Sequence, residues 1–421
     1  MHDPLGMRRS TFYLLVSALI LVHAAFVIAA GGSKLTFLSG GSDAPAYALL
    51  ASNLLHHRGY TYAGEPTAFR PPGYPVFLAL MTLIFGRFYV AATRFVQFFV
   101  CIATAWIAGR AAKILFGSSA GDVAFLLGLI LPTQLFASAQ ILSECLATFF
   151  VSIFLYCLVR ELKSPSVRNE IGMGLSAVVD AYVRFNGAAL AAIGGLAVIR
   201  HRGKRRLLAL GYTMLLPLLL IAPWLIRNQL VFNRKVFFST QQGYNEVQGV
   251  LTPQGRTQPG DSTKIRASLG WVMSQIETNA PTRLALPSEA VLNKQCLAVA
   301  ANLWKQEGWH ALPLLARKIG YFWLSTDQAF DTASFALPER MIRLAGVVVY
   351  WGILAAAIAG WLRLRKSWPL AANMLLLYAV MYTVLHFPLV MSTRIRFPLM
   401  DPLVAMLGGG IAGERKEPEE T

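Results

Sequence analysis

The chain has 421 residues, 55% of them hydrophobic and only 14% charged. A soluble protein carries about 25% charged residues, and apolar runs of roughly 18–22 residues recur here, long enough to cross a bilayer as helices. A soluble globular fold is excluded, and the alternating pattern of an outer-membrane barrel is absent. The formal net charge of +17 does not point to nucleic acid as a partner, because the basic residues fall between apolar segments and not on one polar face. It fits topology and attraction to membrane lipids instead.

In chain order, the first apolar run, Thr11 to Ala30, follows Arg8 and Arg9 and reads as an uncleaved signal anchor. Hydrophobic patterning predicts helices at 11–31, 90–116, 121–138, 142–160, 170–184, 186–200, 206–226, 341–362, 368–386 and 395–412. Basic residues sort the loops. Arg8/Arg9, Arg110/Lys113, Arg160/Lys163/Arg168, the run RHRGKRR at 200–206, RLRK at 363–366 and Arg415/Lys416 fall on one side, which the positive-inside rule makes cytoplasmic. The expected fold is an all-α polytopic membrane protein with about ten transmembrane helices, interfacial helices in the first outer loop and a small, mainly helical periplasmic domain.

Three parts follow from that pattern. Residues 1–226 form an N-terminal transmembrane module with a first outer loop at 32–89. Residues 227–338 form a periplasmic or interfacial domain, and residues 339–421 supply the last membrane helices and a cytoplasmic tail. Within the outer domain, PSEAVLNKQCLAVAANLWKQ at 287–306 has a helix-start signal and apolar residues at helical spacing. Cys101, Cys145 and Cys157 lie in apolar runs and Cys296 stands alone; no CxxC or metal spacing occurs, so free thiols are expected.

The first outer loop holds the chemistry-bearing residues. Asp43 sits close to the end of the first span, at the start of APAYALLASNLLHH, which places Tyr47, Leu50, Leu54 and Leu55 on one face of a short interfacial helix. Asp43 is well placed either to cap that helix or to act as a base. RPPGYP then fixes a rigid turn, since each proline sets its own φ and restricts the residue before it, and this turn presents Arg70 beside the membrane. A second interfacial helix is predicted at about 74–86. His56 and His57 are adjacent, point about 100° apart on a helix, and read as surface residues.

DAPAYALLASNLLHHRGYTYAGEPTAFRPPGYPVFLALMTLIFG resembles the first outer loop of the C-type membrane glycosyltransferases, in the branch related to protein O-mannosyltransferases and the lipid A aminoarabinose transferase. Asp43, Tyr47, Arg70, Pro71, Pro72, Gly73, Tyr74 and Pro75 carry the likeness. Further resemblances follow in order: ILSECLATFF with Glu144, VRFNG with Arg184 and Asn186, PWLIRNQLVFNRKVFFSTQQGYN with Arg227, and STRIRFPLMDPL with Arg394 and Arg396. The resemblance implies an enzyme of the bacterial inner membrane, with its active site facing the periplasm. It would move a hexosyl or pentosyl group from an undecaprenyl-phosphate-like polyprenyl-phosphate donor to a glycan, lipid or protein acceptor, with inversion.

It also implies roles. Asp43 is the candidate general base. Glu144 either orients the acceptor or holds a metal with Asp43; as a first-turn acid it is also favoured by the helix dipole. Arg70 is the candidate phosphate ligand, with Arg227, Arg394 and Arg396 of the same kind. Tyr47, Tyr74, Arg184 and Asn186 are expected to line the cavity, and Asp180 to pair with an arginine. In the aminoarabinose branch a Glu immediately before the basic residue of the Pro-rich turn joins a metal site; Phe69 stands there, so a divalent-metal cofactor stays open. The competing class is a flippase for lipid-linked sugars, which suits intramembrane charge, but no pair of related halves is detectable.

Overall fold

The computed structural model describes residues 9–31, 43–185, 187–201, 203–251, 289–325, 339–389 and 393–413. Helix α1, Arg9–Gly31, has no carboxylate and exposes Leu14, Leu21 and Ile28. Such a surface needs lipid around it. It is pinned to the rest of the molecule by a polar contact, His23 Nε2 to Ser138 Oγ at 2.8 Å.

The first outer loop follows. Helix α2, Ala44–Leu55, buries Tyr47 and Leu50. The chain then turns through His57, Gly59 and a two-residue hairpin, with β1 Thr61–Tyr62 paired antiparallel to β2 Glu65–Pro66. Ala63 and Gly64 both have positive φ in this hairpin, as the twist of a tight two-residue turn requires. His56 Nδ1 contacts the Ser52 carbonyl within this exposed surface, so the histidine pair is part of a surface turn. Helix α3, Gly73–Phe85, starts at the Pro71–Pro72 turn and runs through a single 3-10 turn into α4, Tyr89–Phe116.

The predicted helix at 121–138 is two helices, α5 Ser118–Ile130 and α6 Pro132–Ala139, bent by 53°. The cause is local. Leu131 precedes a proline and takes ψ 117, outside the helical region. The short α6 then exposes its last carbonyls. Arg94 Nε donates to Ala139 O, and Gln97 Nε2 contacts the carbonyls of Ala137, Ser138 and Gln140, meeting the requirement that buried helix ends be satisfied.

Helix α7, Glu144–Lys163, packs against α4 and against α8, Val167–Arg184. Then come α9 Gly187–His201, α10 Arg206–Leu210, a π-helical turn Gly211–Leu215 and α11 Leu216–Phe232. The outer region contributes α12 Gln242–Leu251, α13 Glu289–Glu307 and α14 Ala311–Leu324; α12 packs on α13 through Val247, Cys296 and Ala300. Helices α15 Glu339–Ser367, α16 Pro369–Leu385 and α17 Thr393–Gly408 close the bundle. The main core lies where α4, α7, α8, α9, α16 and α17 meet, around Phe154, Leu158, Met173, Leu190, Tyr378 and Met400.

Each predicted helical stretch is helical, 121–138 as two helices and 206–226 with a π-helical turn inside it, but the expected ten spans are not all seen as such. Six stretches among the described residues are long and apolar enough to cross a membrane, or seven if α5 and α6 count as one bent span. Gly187–Arg200 and α16 are apolar but shorter, and α8 carries Arg168, Glu170, Asp180 and Arg184. All four cysteines are free.

One glycine decides how the outer loop sits on the bundle. A Cβ at Gly73 would lie 2.8 Å from the Tyr182 carbonyl oxygen and 2.9 Å from its carbon, so α3 and α8 meet backbone to backbone. Gly73→Val should therefore cost about 1–3 kcal/mol, read as a lower thermal midpoint in detergent. Gly320→Ala, where a Cβ meets nothing within 4 Å, should leave it unchanged or raised.

Candidate active site

Asp43 comes to the site from the turn before α2. It occupies the N-cap position, yet its side chain makes no capping hydrogen bond; only its carbonyl bonds back, to the Tyr47 amide. The carboxylate is left for ion pairing. Oδ1 meets Arg70 Nη2 and Oδ2 meets Arg394 Nη2. Arg394 Nε reaches Glu144 Oε1, and Arg184 Nη1 reaches the same oxygen at 2.9 Å. Five side chains from five parts of the sequence thus form one chain: Arg70, Asp43, Arg394, Glu144, Arg184.

Local structure explains each placement. The Pro71–Pro72 turn fixes Arg70, and Tyr60 Oη donates to the Arg70 carbonyl at 2.8 Å. Arg70 Nη1 donates to Gln241 Oε1 at 2.8 Å, and the guanidinium lies 4.6 Å from the Phe69 ring. Glu144 opens α7 just after the carbonyls that Arg94 and Gln97 hold, and is 1% exposed. The positive end of α7 favours its charge. Arg184 is the last residue of α8. The helix ends at Phe185, which takes the left-handed conformation with φ 63, at a cost of about 1–2 kcal/mol for a non-glycine residue. Arg394 lies in the first turn of α17.

Two tyrosines line one side. The Tyr47 and Tyr74 rings meet edge to face at 4.9 Å. Tyr47 Oη lies 3.2 Å from Ser143 Oγ, and burial holds its hydroxyl above the ordinary value, so it stays protonated. Tyr74 is fully buried, packs against Tyr47 and donates to Gln97 Oε1 at 2.7 Å.

Other sequence candidates lie elsewhere. Arg227 donates to the carbonyls of Thr67 and Tyr60 and sits 5.1 Å from the Trp224 ring, so it shapes the loop and does not join the ion chain. Arg396 is fully buried, donates to the carbonyls of Phe322 and Ser325, and lies 4.0 Å from the Tyr350 ring; it closes the C-terminus of α14. Asp180 is fully buried and neither carboxylate oxygen has a hydrogen-bond partner; the arginine one turn on, Arg184, pairs with Glu144 instead. Asn186 falls outside the described residues.

The donor set does not suit a divalent cation. Among the described residues no three His, Cys, Asp or Glu side chains come together. Of the four oxygens of Asp43 and Glu144, three already face guanidinium groups, so a cation held by these two acids would have to displace Arg394 from between them and sit beside Arg70 and Arg184.

Sequence reasoning missed Glu289. It opens α13 and accepts from Thr67 Oγ1 at 2.6 Å, Ala68 N at 3.0 Å and Thr240 Oγ1 at 2.8 Å. One carboxylate therefore ties the outer domain to the segment just before Arg70. As a sequence feature it is an ordinary first-turn helix acid, and nothing local points to partners 221 and 222 residues away.

With this geometry in place, comparison with known proteins gives consistent results. The family model for dolichyl-phosphate-mannose-protein mannosyltransferase matches residues 69–226. That stretch is less than half of the chain; it includes Arg70, Glu144 and Arg184 and begins after Asp43. Archaeal oligosaccharyltransferase AglB from Archaeoglobus fulgidus, solved with an inhibitory peptide and a dolichol-phosphate, superposes with a TM-score of 0.52 at 15% identity, covering 94% of this chain and 50% of that one. ArnT from Cupriavidus metallidurans, bound to undecaprenyl phosphate, gives 0.44 at 14% identity over 97% of this chain and 78% of ArnT. No curated protein matches the sequence. The chain is a multi-pass membrane protein whose fold is similar to that of archaeal oligosaccharyltransferase AglB. It spans about half the length of the AglB chain it matches.

Glu289→Ala should strand two hydroxyls and one amide, a local loss of about 2 kcal/mol. The expected readout is faster amide exchange over residues 67–70 with α4 and α7 still protected; Glu289→Gln should fall between the two.

Proposed function

We propose that the chain transfers a hexosyl or pentosyl group from a polyprenyl-phosphate donor to an acceptor glycan, lipid or protein, with inversion at the sugar. The observation that carries this reading is the joint hold of Arg70 and Arg394 on one uncapped carboxylate, Asp43. An anion-binding pair and a proton acceptor then share a single point at the ends of membrane helices.

In the proposed reaction the donor's phosphate sits between Arg70 and Arg394, whose guanidinium groups stabilise the charge that grows as the anomeric carbon–oxygen bond breaks. The bonding pair leaves with the phosphate. Asp43 takes the proton of the acceptor hydroxyl or amine as that group bonds to the anomeric carbon from the opposite face. Glu144 orients Arg394 and Arg184, and Tyr47 walls the site. The polyprenyl tail stays in the bilayer beside the outer loop.

The ends of the helices support the sidedness. Lys113, Arg160, Lys163, Arg365 and Lys366 cluster in the last turns of α4, α7 and α15, whereas Glu144 and Arg394 open α7 and α17. The basic ends would be cytoplasmic, which supports a site on the opposite, periplasmic side of a bacterial inner membrane. The three-part division at 1–226, 227–338 and 339–421 gives the middle part the role of admitting the acceptor.

Purified protein incubated with radiolabelled polyprenyl-phosphate sugars and membrane extract should transfer sugar or slowly hydrolyse donor. Asp43→Asn should lower that rate by about 10²–10⁴-fold while donor binding persists. Arg70→Ala should weaken donor binding by about 10–100-fold. Movement of intact donor across vesicles, with no consumption by the wild type, would replace this reading with a flippase.

A further inference from the structure

Arg394 lies where the two acids converge. Its Nε meets Glu144 and its Nη2 meets Asp43, so one planar guanidinium bridges carboxylates from two separate elements. Two converging carboxylates must be neutralised, by a shared proton, a divalent cation or a cationic side chain. Here the bridging position is filled by a side chain of the protein itself.

The charge balance points the same way. Among the described residues, three guanidinium groups, Arg70, Arg184 and Arg394, less two carboxylates, Asp43 and Glu144, leave one net positive charge in a partly buried cluster. A sugar phosphodiester carries one negative charge, so a monophosphate donor brings the site to neutrality. A bound dication would leave two uncompensated positive charges in the same low-dielectric space, which is costly. A diphosphate donor would leave a net negative charge.

We propose, building on the transfer reaction above, that Arg394 takes the place of a divalent cation between Asp43 and Glu144. The site then works without metal and is matched to a singly charged phosphodiester donor. At rest Arg394 occupies Asp43 Oδ2. When the donor's phosphate arrives it draws Arg394 to itself, and that oxygen becomes free to accept the acceptor's proton. Arg394 is thus both phosphate ligand and gate on the base. Its planar fork can hold two oxygens at once, which a lysine ammonium does as a point charge only.

The test uses the full-length protein in lipid nanodiscs, with thermal midpoint, manganese binding by electron paramagnetic resonance, and donor consumption as three readouts. For the wild type, excess chelator should change consumption less than about twofold against the roughly 100-fold effect of losing a bridging donor. Its midpoint should not move, and it should bind no manganese at the site. Arg394→Ala should lose consumption and acquire manganese binding, with the midpoint rising as manganese is added. That binding should disappear in Arg394→Ala combined with Asp43→Asn. Wild-type activity abolished by chelator and restored by manganese would overturn the proposal and leave the transferase reading standing. A wild type that consumes no donor, while manganese binds to Arg394→Ala only, would sink the transferase reading and leave the bridging role. The chelator and manganese measurements on the wild type decide the matter even if the variant does not fold.

Discussion

The cluster around Asp43 depends on one electrostatic constraint. Charges withdrawn from water need opposite charges or polar partners, or the group gives up its charge. The alternating row of three arginines and two acids meets that constraint, and no member is satisfied without its neighbours. Glu144, almost wholly enclosed, would be intolerable without Arg184 and Arg394. The row therefore acts as a clasp. It draws together the outer loop, the starts of α7 and α17, and the end of α8.

The clasp is supported from beneath by backbone contacts that side-chain chemistry alone would not reveal. The close approach of Gly73 to Tyr182 brings the Pro-rich turn down onto α8 two residues from Arg184. The carbonyls at the end of α6, just before α7 begins, are held by Arg94 and Gln97, and Gln97 also holds Tyr74. A single glutamine thus links the end of α6 to the aromatic pair beside Asp43.

Much of this was legible in the sequence, for physical reasons. Apolar period and basic ends are strong, local signals, so the predicted stretches are helical. RPPGYP could be read because proline restricts the chain wherever it occurs. Asp43, Arg70 and Glu144 stood out as charges at membrane boundaries. The same logic could not sort the three arginines Arg227, Arg394 and Arg396 near helix ends. Arg394 joined the acids, while Arg227 and Arg396 went to backbone carbonyls, and only three-dimensional proximity separates those fates. The split of 121–138 into two helices could have been anticipated from Pro132, but the apolar run masked it. Glu289 carried no sequence signal, because an acid in the first turn of a helix is unremarkable until its partners are known.

The contact of Glu289 with Thr67, Ala68 and Thr240 also bears on how such proteins can be rebuilt. Helix α13 touches the loop that carries Arg70 through a carboxylate with three donors, two of them from the loop and one from the segment before α12. A chimaera that exchanged the outer domain for another would have to preserve that acid, its position at the head of α13 and the two threonines. Shift the graft by one residue and the carboxylate turns by about 100° around the helix, leaving the loop that holds Arg70 without its outer tie. Modularity in this architecture is limited less by the size of the exchanged piece than by the angular phase of one helix.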